Sequence, residues 1–373
     1  MKLFDIQKYI RKNPPHEGIS FRSSDGFFSF AVIIPMLNEN DNAAEFFTHL
    51  KKALANCSEN ILVAAVVNCN ENSPAEYKAD NLKLLERLNK NEFQIPNLTV
   101  IDCTSDGKTI KNGVGEARKI GMDYALQYFD MNNFENSIIA SLDADTVIEE
   151  DYFNLIRKNF SENPESGALT FNVEHLKDAE NPTAIAHYEH YLSSYRHGLE
   201  YAASPYAFYT VGSAFAVRAS SYIQAGGMRK LKAGEDFYFL QAVVKSSKVR
   251  HCAEITVHPS ARFSPRVPFG TGTALRSISN NEKEFIPFPQ SAFDDLKKII
   301  NAATNENLIT PEKFLSVLSP KFIPFFNQHK FTPDWQKVTA NMPKSQLRNA
   351  FILHWFDGLK TLQFVKYAAH GRE

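Results

Sequence analysis

From about residue 28 the chain alternates short, wholly apolar runs with longer segments whose apolar residues recur every three to four positions. The runs FFSFAVIIP, ILVAAVV, LTVID and SIIASLD predict four buried strands. Between them, AAEFFTHLKKAL, AEYKADNLKLLERLNK and GEARKIGMDYALQYF predict amphipathic helices. This succession is the pattern of an α/β domain with parallel strands crossed by helices. GALTFNV, residues 167 to 173, predicts a further strand. The long amphipathic segment TAIAHYEHYLSSYRHGLEYAA then sets Tyr188, Tyr191, Tyr195 and Leu199 on one helical face, a spacing that favours core packing over a stacking surface for a ligand. FYTVGSAFAVR predicts another strand, which leads to a Gly226-Gly227 turn and the helix EDFYFLQAVVKSS. The Pro-, Gly- and Thr-rich stretch SPRVPFGTGTALRS, residues 264 to 277, predicts a mobile loop. Beyond about residue 280 the alternation stops, and DDLKKIINAA and LRNAFILHWFDGLKTLQFVKYA predict helices. Three parts are therefore expected: an N-terminal extension (1–27), a main α/β domain (28–279) and a helical C-terminal subdomain (280–373).

Length changes this picture little, since 373 residues suffice for one large or two modest cores. Charge changes it more. Lys+Arg 41 against Asp+Glu 42 leaves a net charge of -1, so no global basic field points to nucleic acid, and recognition through charge must be local. The four cysteines, Cys57, Cys69, Cys103 and Cys252, lack CxxC spacing and predict free thiols in a reducing compartment. The opening MKLFDIQKYIRK is charged throughout, unlike a signal peptide. ILVAAVV is far short of the roughly 20 apolar residues that span a bilayer. A soluble, cytoplasmic chain without a transmembrane segment is expected.

The chemistry concentrates in SIIASLDADTVIEEDYF, where Asp143 and Asp145 follow an apolar strand two residues apart. Residues i and i+2 of a strand share a face, so the two carboxylates repel unless a cation lies between them. Mg²⁺ and Mn²⁺ take oxygen ligands and are commonly held by one or two carboxylates plus substrate phosphates. Ligands of open parallel sheets bind outside the carboxyl ends of the strands, which is where this pair is expected.

Four neighbouring segments keep company with that pair: VIIPMLNEN (32 to 40), GVGEARKIGMDYAL (113 to 126), VGSAFAVR (211 to 218) and AGEDFYF (233 to 239). In this order and spacing the five resemble the family-2 glycosyltransferases of the GT-A fold, over roughly residues 28 to 275. The resemblance implies a GT-A-like nucleotide-diphospho-sugar transferase fold, with a mostly parallel sheet flanked by helices and a helical C-terminal region. It implies a metal-dependent, inverting transfer of a sugar to an acceptor hydroxyl. Pro35, Asn38 and Glu39 match the turn that lines the nucleotide pocket, and Asn68 stands where the family carries an acidic residue that reads the base. Arg118 matches the arginine that fixes the first aspartate or the base. Asp143 corresponds to the ribose contact, and Asp145, with His258, to the Mn²⁺ or Mg²⁺ site. Gly212 and Ser213 form the small-residue loop beside the donor. Glu235 precedes Asp236, the expected general base, and Arg262 and Arg266 are expected to clamp the diphosphate.

Without the resemblance these residues have plainer readings. Asn38 is a helix cap, Arg118 a surface arginine, Glu235 and Asp236 a pair that stabilises a helix N-terminus, and His258 a structural histidine. The chain also departs from the family: Lys119 replaces an asparagine after Arg118, and Asn68 and Asn70 replace acids, leaving the base open. Asp102 is a candidate replacement or a cap. Donor sugar, acceptor (glycan, lipid-linked or small molecule) and oligomeric state are unspecified, and shallow attachment of FILHWFDGLKTLQFVKYA to a membrane stays open. Two other readings compete. A haloacid-dehalogenase-like phosphatase would use Asp143 as nucleophile and Asp145 as acid/base, but needs that motif on the first strand of its sheet, whereas here it falls on about the fourth. A non-catalytic nucleotide-binding protein would keep the fold without turnover. No P-loop or dinucleotide fingerprint is present.

Overall fold

The structure, a computed structural model, describes residues 3–14, 19–22, 27–176, 182–260, 277–278 and 285–371. It divides into two compact units: one comprises Met1–Ala186 and Tyr209–Glu284, the other His187–Phe208 and Phe285–Glu373. The tyrosine-rich segment therefore groups largely with the C-terminal helices, a division that the pattern boundary near residue 280 did not anticipate.

The first unit is built on one mixed sheet. Its strands are β1 (Ile19–Arg22), β2 (Phe30–Met36), β3 (Ile61–Asn68), β4 (Leu98–Cys103), β5 (Ile138–Ser141), β6 (Thr146–Ile148), β7 (Ser166–Val173), β8 (Phe215–Arg218) and β9 (Lys248–Pro259), in the spatial order β1-β4-β3-β2-β5-β8-β7-β9-β6. β4, β3, β2 and β5 run parallel, and β7 runs parallel to β9; β1, β6 and β8 pair antiparallel to their neighbours. Every residue of β2 and β3 is buried, as expected of parallel strands covered on both faces. Phe30, Val32, Ile34 and Met36 join a core with Phe46, Phe47 and Leu50 of α2 (Ala43–Ala55) and with Phe153 and Ile156 of α5 (Tyr152–Glu162). Ile33 points to the opposite face and meets α4 (Val114–Ala125) at Gly121, where any Cβ would run into its methyl group.

The chain lays β3 and β4 on one side of β2, then returns to place β5 on the other. That reversal is a topological switch point, the place where open α/β sheets form a crevice, at the carboxyl ends of β2 and β5. Residues 37–39 leave β2 there, and Asp143 follows β5. The four expected strands and three expected helices are all present, with α3 spanning Ala75–Asn89. FYTVGSAFAVR is corrected: only Phe215–Arg218 is strand, and Val211–Ala214 form a turn closed by the Ala214 amide on the Val211 carbonyl at 2.9 Å. The short strands β1 and β6 and the helix α1 (Leu3–Lys12) were not anticipated.

In the second unit, Tyr191 and Tyr195, near the middle of α6 (Pro182–Tyr201), pack against Phe288 with tilted rings whose centroids are 5.8 and 5.9 Å apart, so these tyrosines serve packing. The expected C-terminal helix is broken. Asp357 accepts the Lys360 amide at 3.0 Å and starts a new helix, Gly358–His370. Among the described residues, no helix is long and apolar enough to cross a membrane.

Candidate active site

Three parallel strands end at the crevice, and a side chain from α3 ties them together. Asn81, fully buried, donates to the Asn68 carbonyl and to the Thr104 hydroxyl, both at 2.9 Å, and accepts the Asn38 amide at 2.9 Å. Thr104 in turn donates to the Val67 carbonyl at 3.2 Å. This knot holds Asn38 at a positive φ of 56°, a left-handed conformation that asparagine tolerates better than most residues. Glu39 is buried beside it and accepts from Asn42 at 3.0 Å. Asn68 donates to the carbonyls of Met36 and Val66, both at 3.1 Å. Its amide group is thus committed to the scaffold. Asp102 is a turn cap: it accepts the Thr104 and Ser105 amides and Lys108 Nζ, and although burial raises its pKa, these bonds bring it below the usual carboxylate value.

The centre of the crevice is Arg118. It is 3% exposed, not a surface residue, because α4 lies against the sheet at Gly121, one turn farther along the helix. Its guanidinium donates to Ser141 Oγ at 3.1 Å and pairs with Asp143 on one side and Glu235 on the other. It also lies across Gly212, where a Cβ would collide with the guanidinium. Gly212 is therefore required for the arginine's room, which also explains why the strand begins only at Phe215. Burial opposes the charge of Arg118, but the carboxylates of Asp143, Glu235 and Asp236 outweigh it and raise the pKa above the ordinary arginine value. The repulsion between Asp143 and its neighbours is thus offset, in part, by a cation the protein itself provides.

α8 (Glu235–Val244) delivers the remaining acids. It is preceded by Gly234, left-handed at φ 73°, and by a loop pressed against α4, where a Cβ at Gly115 would sit 2.6 Å from the Leu231 carbonyl. Glu116 fastens the same loop through Lys230 at 2.9 Å and accepts the Lys111 and Asn112 amides at 3.0 and 2.9 Å. Asp236 is half-buried and accepts the Phe237 amide at 2.7 Å. Burial, then the Glu235 charge, push its carboxyl up to about 7; Arg118 and the amide bond pull the other way without cancelling them. Arg118 therefore links Asp143, at the end of β5, directly to Glu235, the residue before Asp236.

Asp145 lies beyond Asp143, and its carbonyl accepts the Ser260 amide at 2.9 Å where β6 joins β9. The register pairs Val147 with His258, so alternation puts Asp145, Val147, His258 and Ser260 on one face of this ladder. His258 Nδ1 donates to the Glu174 carbonyl at 2.9 Å, leaving Nε2 outward, 3.4 Å from Glu149 Oε1. A histidine held in this way has the right tautomer for a metal, since the second ring nitrogen is fixed by a carbonyl. Among the described residues, no group of three His, Cys, Asp or Glu side chains is arranged around a common metal position. The donor set fits a hard cation held by few protein ligands, with substrate oxygens completing the shell. Arg262 and Arg266 lie outside the described residues. Pro35 is buried as the sixth residue of β2, and Ser213 is buried in the Val211–Ala214 turn.

Sequence reasoning missed Asn81 and Gly115. Asn81 was visible as a polar residue on the same helical face as Leu84, Leu85 and Leu88. The phosphatase alternative needs the aspartate pair on the first strand; it follows the fifth strand in the chain.

No family model and no curated protein matches this chain. Among solved structures, S. aureus TarS 1-349 in complex with UDP-GlcNAc is similar at 14% identity and a TM-score of 0.46, covering 84% of this chain and 90% of that one. The mannosyltransferase PcManGT from Pyrobaculum calidifontis, in complex with GDP-Man and Mn²⁺, shares 13% identity at a TM-score of 0.40, over 100% of this chain and 84% of that one. Glucosyl-3-phosphoglycerate synthase from Mycobacterium tuberculosis, with Mn²⁺, UDP and glucosyl-3-phosphoglycerate, shares 8% identity at a TM-score of 0.39, over 63% and 73% of the respective chains. Likeness of this degree assigns neither substrate nor metal.

Proposed function

We propose that this chain is a GT-A-type glycosyltransferase that moves a sugar from a nucleotide-diphospho-sugar to an acceptor hydroxyl, with inversion at the anomeric carbon. The observation that carries the reading is the Arg118 bridge between Asp143 and Glu235. It joins a donor-side acid at the sheet switch point to the start of a helix whose second residue, Asp236, has a proton affinity suited to general-base work near neutral pH. A structural ion pair alone would not require the crevice, the glycine at 212 and the raised Asp236 together.

In this reading, Asn38 and Glu39 form the floor of the nucleotide pocket, and Asp143, held by Arg118, accepts from the ribose. Asp236 takes the proton of the acceptor hydroxyl as that oxygen attacks the sugar C1. The bond to the diphosphate breaks in the same displacement, and the electron pair leaves with the diphosphate. Asp145 and His258 are the residues that would hold Mn²⁺ or Mg²⁺, which stabilises the negative charge developing on the leaving diphosphate. Arg262 and Arg266 complete the proposal as diphosphate clamps.

A thermal-shift screen of UDP, GDP and their sugar conjugates, each with Mn²⁺ or Mg²⁺, tests it. A ligand at a hundred times its Kd stabilises the folded chain by about 2.7 kcal/mol. At least one nucleotide is expected to raise the melting temperature in a metal-dependent way, and Asp145→Ala is expected to remove the metal dependence. No shift with any nucleotide, or an equal shift with and without metal in both proteins, would count against the assignment.

A further inference from the structure

The loop that ends on Asp236 is unusually basic, and it does not stand alone. α1 docks on its beginning: the Tyr9 hydroxyl occupies the space where a Cβ at Gly227 would sit, donates to Asp123 Oδ1 at 2.9 Å and accepts from Lys119 Nζ at 3.1 Å. Gly227 is left-handed at φ 76°, so the turn suits glycine on two counts. Lys119, the departure from the family's asparagine, thereby serves to anchor α1. From this anchor the chain runs through Arg229 and Lys232, over the Gly113–Gly115 start of α4, to Gly234 and Asp236. Lys111 precedes that helix start, tied to the same Glu116 that binds Lys230.

Along this path Lys8, Arg11 and Lys12 of α1, with Lys111, Arg229 and Lys232, are all exposed, and none forms an ion pair among the described residues. Lys230 and Lys108, by contrast, are answered by Glu116 and Asp102. Six cations without an ion-pair partner among the described residues, one of them Arg229 over the Tyr238 ring at 5.7 Å, stand out in a chain whose net charge is -1. A membrane surface is the less fitting partner. Among the described side chains of α1, Ile6 is 3% exposed and Tyr9 is held by Asp123 and Lys119, so both turn inward and away from lipid.

We infer that this basic tract, from α1 along the Gly227–Gly234 loop, binds a polyanionic acceptor chain and leads its reacting hydroxyl to Asp236. The role as acceptor track rests on the transferase reading; the binding itself does not. Each residue acts through charge, so binding is expected to weaken with salt through release of counterions.

Binding of the full chain to linear polyphosphate, alginate and neutral dextran of similar length, at 50 and 200 mM salt, tests it. Phosphate and carboxylate polymers separate the two sources of negative charge. Polyphosphate, alginate or both are expected to bind, with a loss of roughly a hundredfold to a thousandfold between the two salt concentrations if five or six charges engage. A variant with Lys8, Arg11, Lys12, Arg229 and Lys232 each changed to Gln is expected to lose at least tenfold in affinity and most of the salt dependence. A circular dichroism melt shows that it is folded, and the three-residue variant confined to α1 gives an intermediate loss if the larger one is not. No polyanion binding by the wild type, equal binding by the folded variant, or equal binding of dextran overturns the inference. Binding to anionic phosphatidylglycerol vesicles but to neither polymer also overturns it, in favour of a membrane surface. Nucleotide-induced thermal shifts of the wild type report on the transferase reading separately: polyanion binding without any such shift keeps the tract and removes the transferase.

Discussion

Arg118→Met is the most informative perturbation of the site. Methionine fills much of the same volume but cannot pair, so Asp143, Glu235 and Asp236 lose the buried cation that faces them. The Glu235 side chain is only 4% exposed and the Asp143 side chain 34%, so water can compensate the first far less than the second. Removing one partner of a buried pair typically costs roughly 3–5 kcal/mol, against a total stability of about 5–15 kcal/mol. A loss of that size corresponds to a fall in melting temperature of roughly 6–12 °C for a unit of this size. The sign with pH follows from the acids. Arg118 pulls down the raised Asp236 carboxyl, so without the arginine that carboxyl rises further and the variant loses more stability than the wild type as pH rises from 3.8 through about 7. Urea unfolding at pH 5.5 and pH 8 is expected to show a smaller deficit at the lower pH. Adding Glu235→Gln to the variant removes one of the stranded charges and is expected to recover roughly 1–2 kcal/mol at pH 8, a coupling read from the double-mutant cycle. A deficit below about 1 kcal/mol that is flat in pH would refute the argument that Arg118 compensates these acids.

The other predictions concern Asp236 and the strand-end knot. Because the Glu235 charge pushes the Asp236 carboxyl up, Glu235→Gln is expected to move the acid limb of the kcat/KM profile from about 7 to lower pH; an unmoved limb would show that another group titrates there. The same shift destabilises the fold as pH rises from 3.8 to about 7, since the folded state binds the proton more tightly, so Asp236→Asn is expected to be more stable than wild type at pH 8 and not at pH 4, by urea midpoint. Asn81→Ala strands the Asn38 amide and the Asn68 carbonyl, and is expected to cost roughly 2–4 kcal/mol and to weaken nucleotide binding in a thermal-shift titration; a loss of stability with unchanged nucleotide affinity would confine Asn81 to the scaffold.

The parallel half of the sheet was legible because its strands are buried on both faces and read as unbroken apolar runs, as in ILVAAVV for β3. Helix α4 was legible from its helical period, and the small residues around Arg118 marked a close approach whose nature only the fold reveals: Gly121 faces Ile33, Gly115 faces Leu231, and Gly212, far along the chain, faces the arginine itself. Long-range pairings of this kind leave no local trace. β8 was over-extended because VGSAFAVR looks uniformly small and apolar, although its first half must turn to admit a guanidinium. The helix α1 was passed over because its charges obscured the Ile6 and Tyr9 face, and the break at Asp357 was missed although Asp-Gly-Leu-Lys carries a cap signal. Asp143 and Arg118 were both singled out from sequence, and the resemblance set the arginine against the first aspartate or the base; that the same guanidinium also pairs with Glu235 leaves no local sign.

The central claim is that Asp236 activates an acceptor hydroxyl against a bound nucleotide-sugar. Release of nucleoside diphosphate from UDP- and GDP-sugars, with Mn²⁺ and with and without a panel of acceptors, measures it directly in wild type and Asp236→Asn. Acceptor-stimulated release by the wild type is expected, lost by a factor of roughly a hundred or more in Asp236→Asn while nucleotide binding persists. Equal release by both proteins, or none by a wild type that binds the nucleotide-sugar, would contradict it.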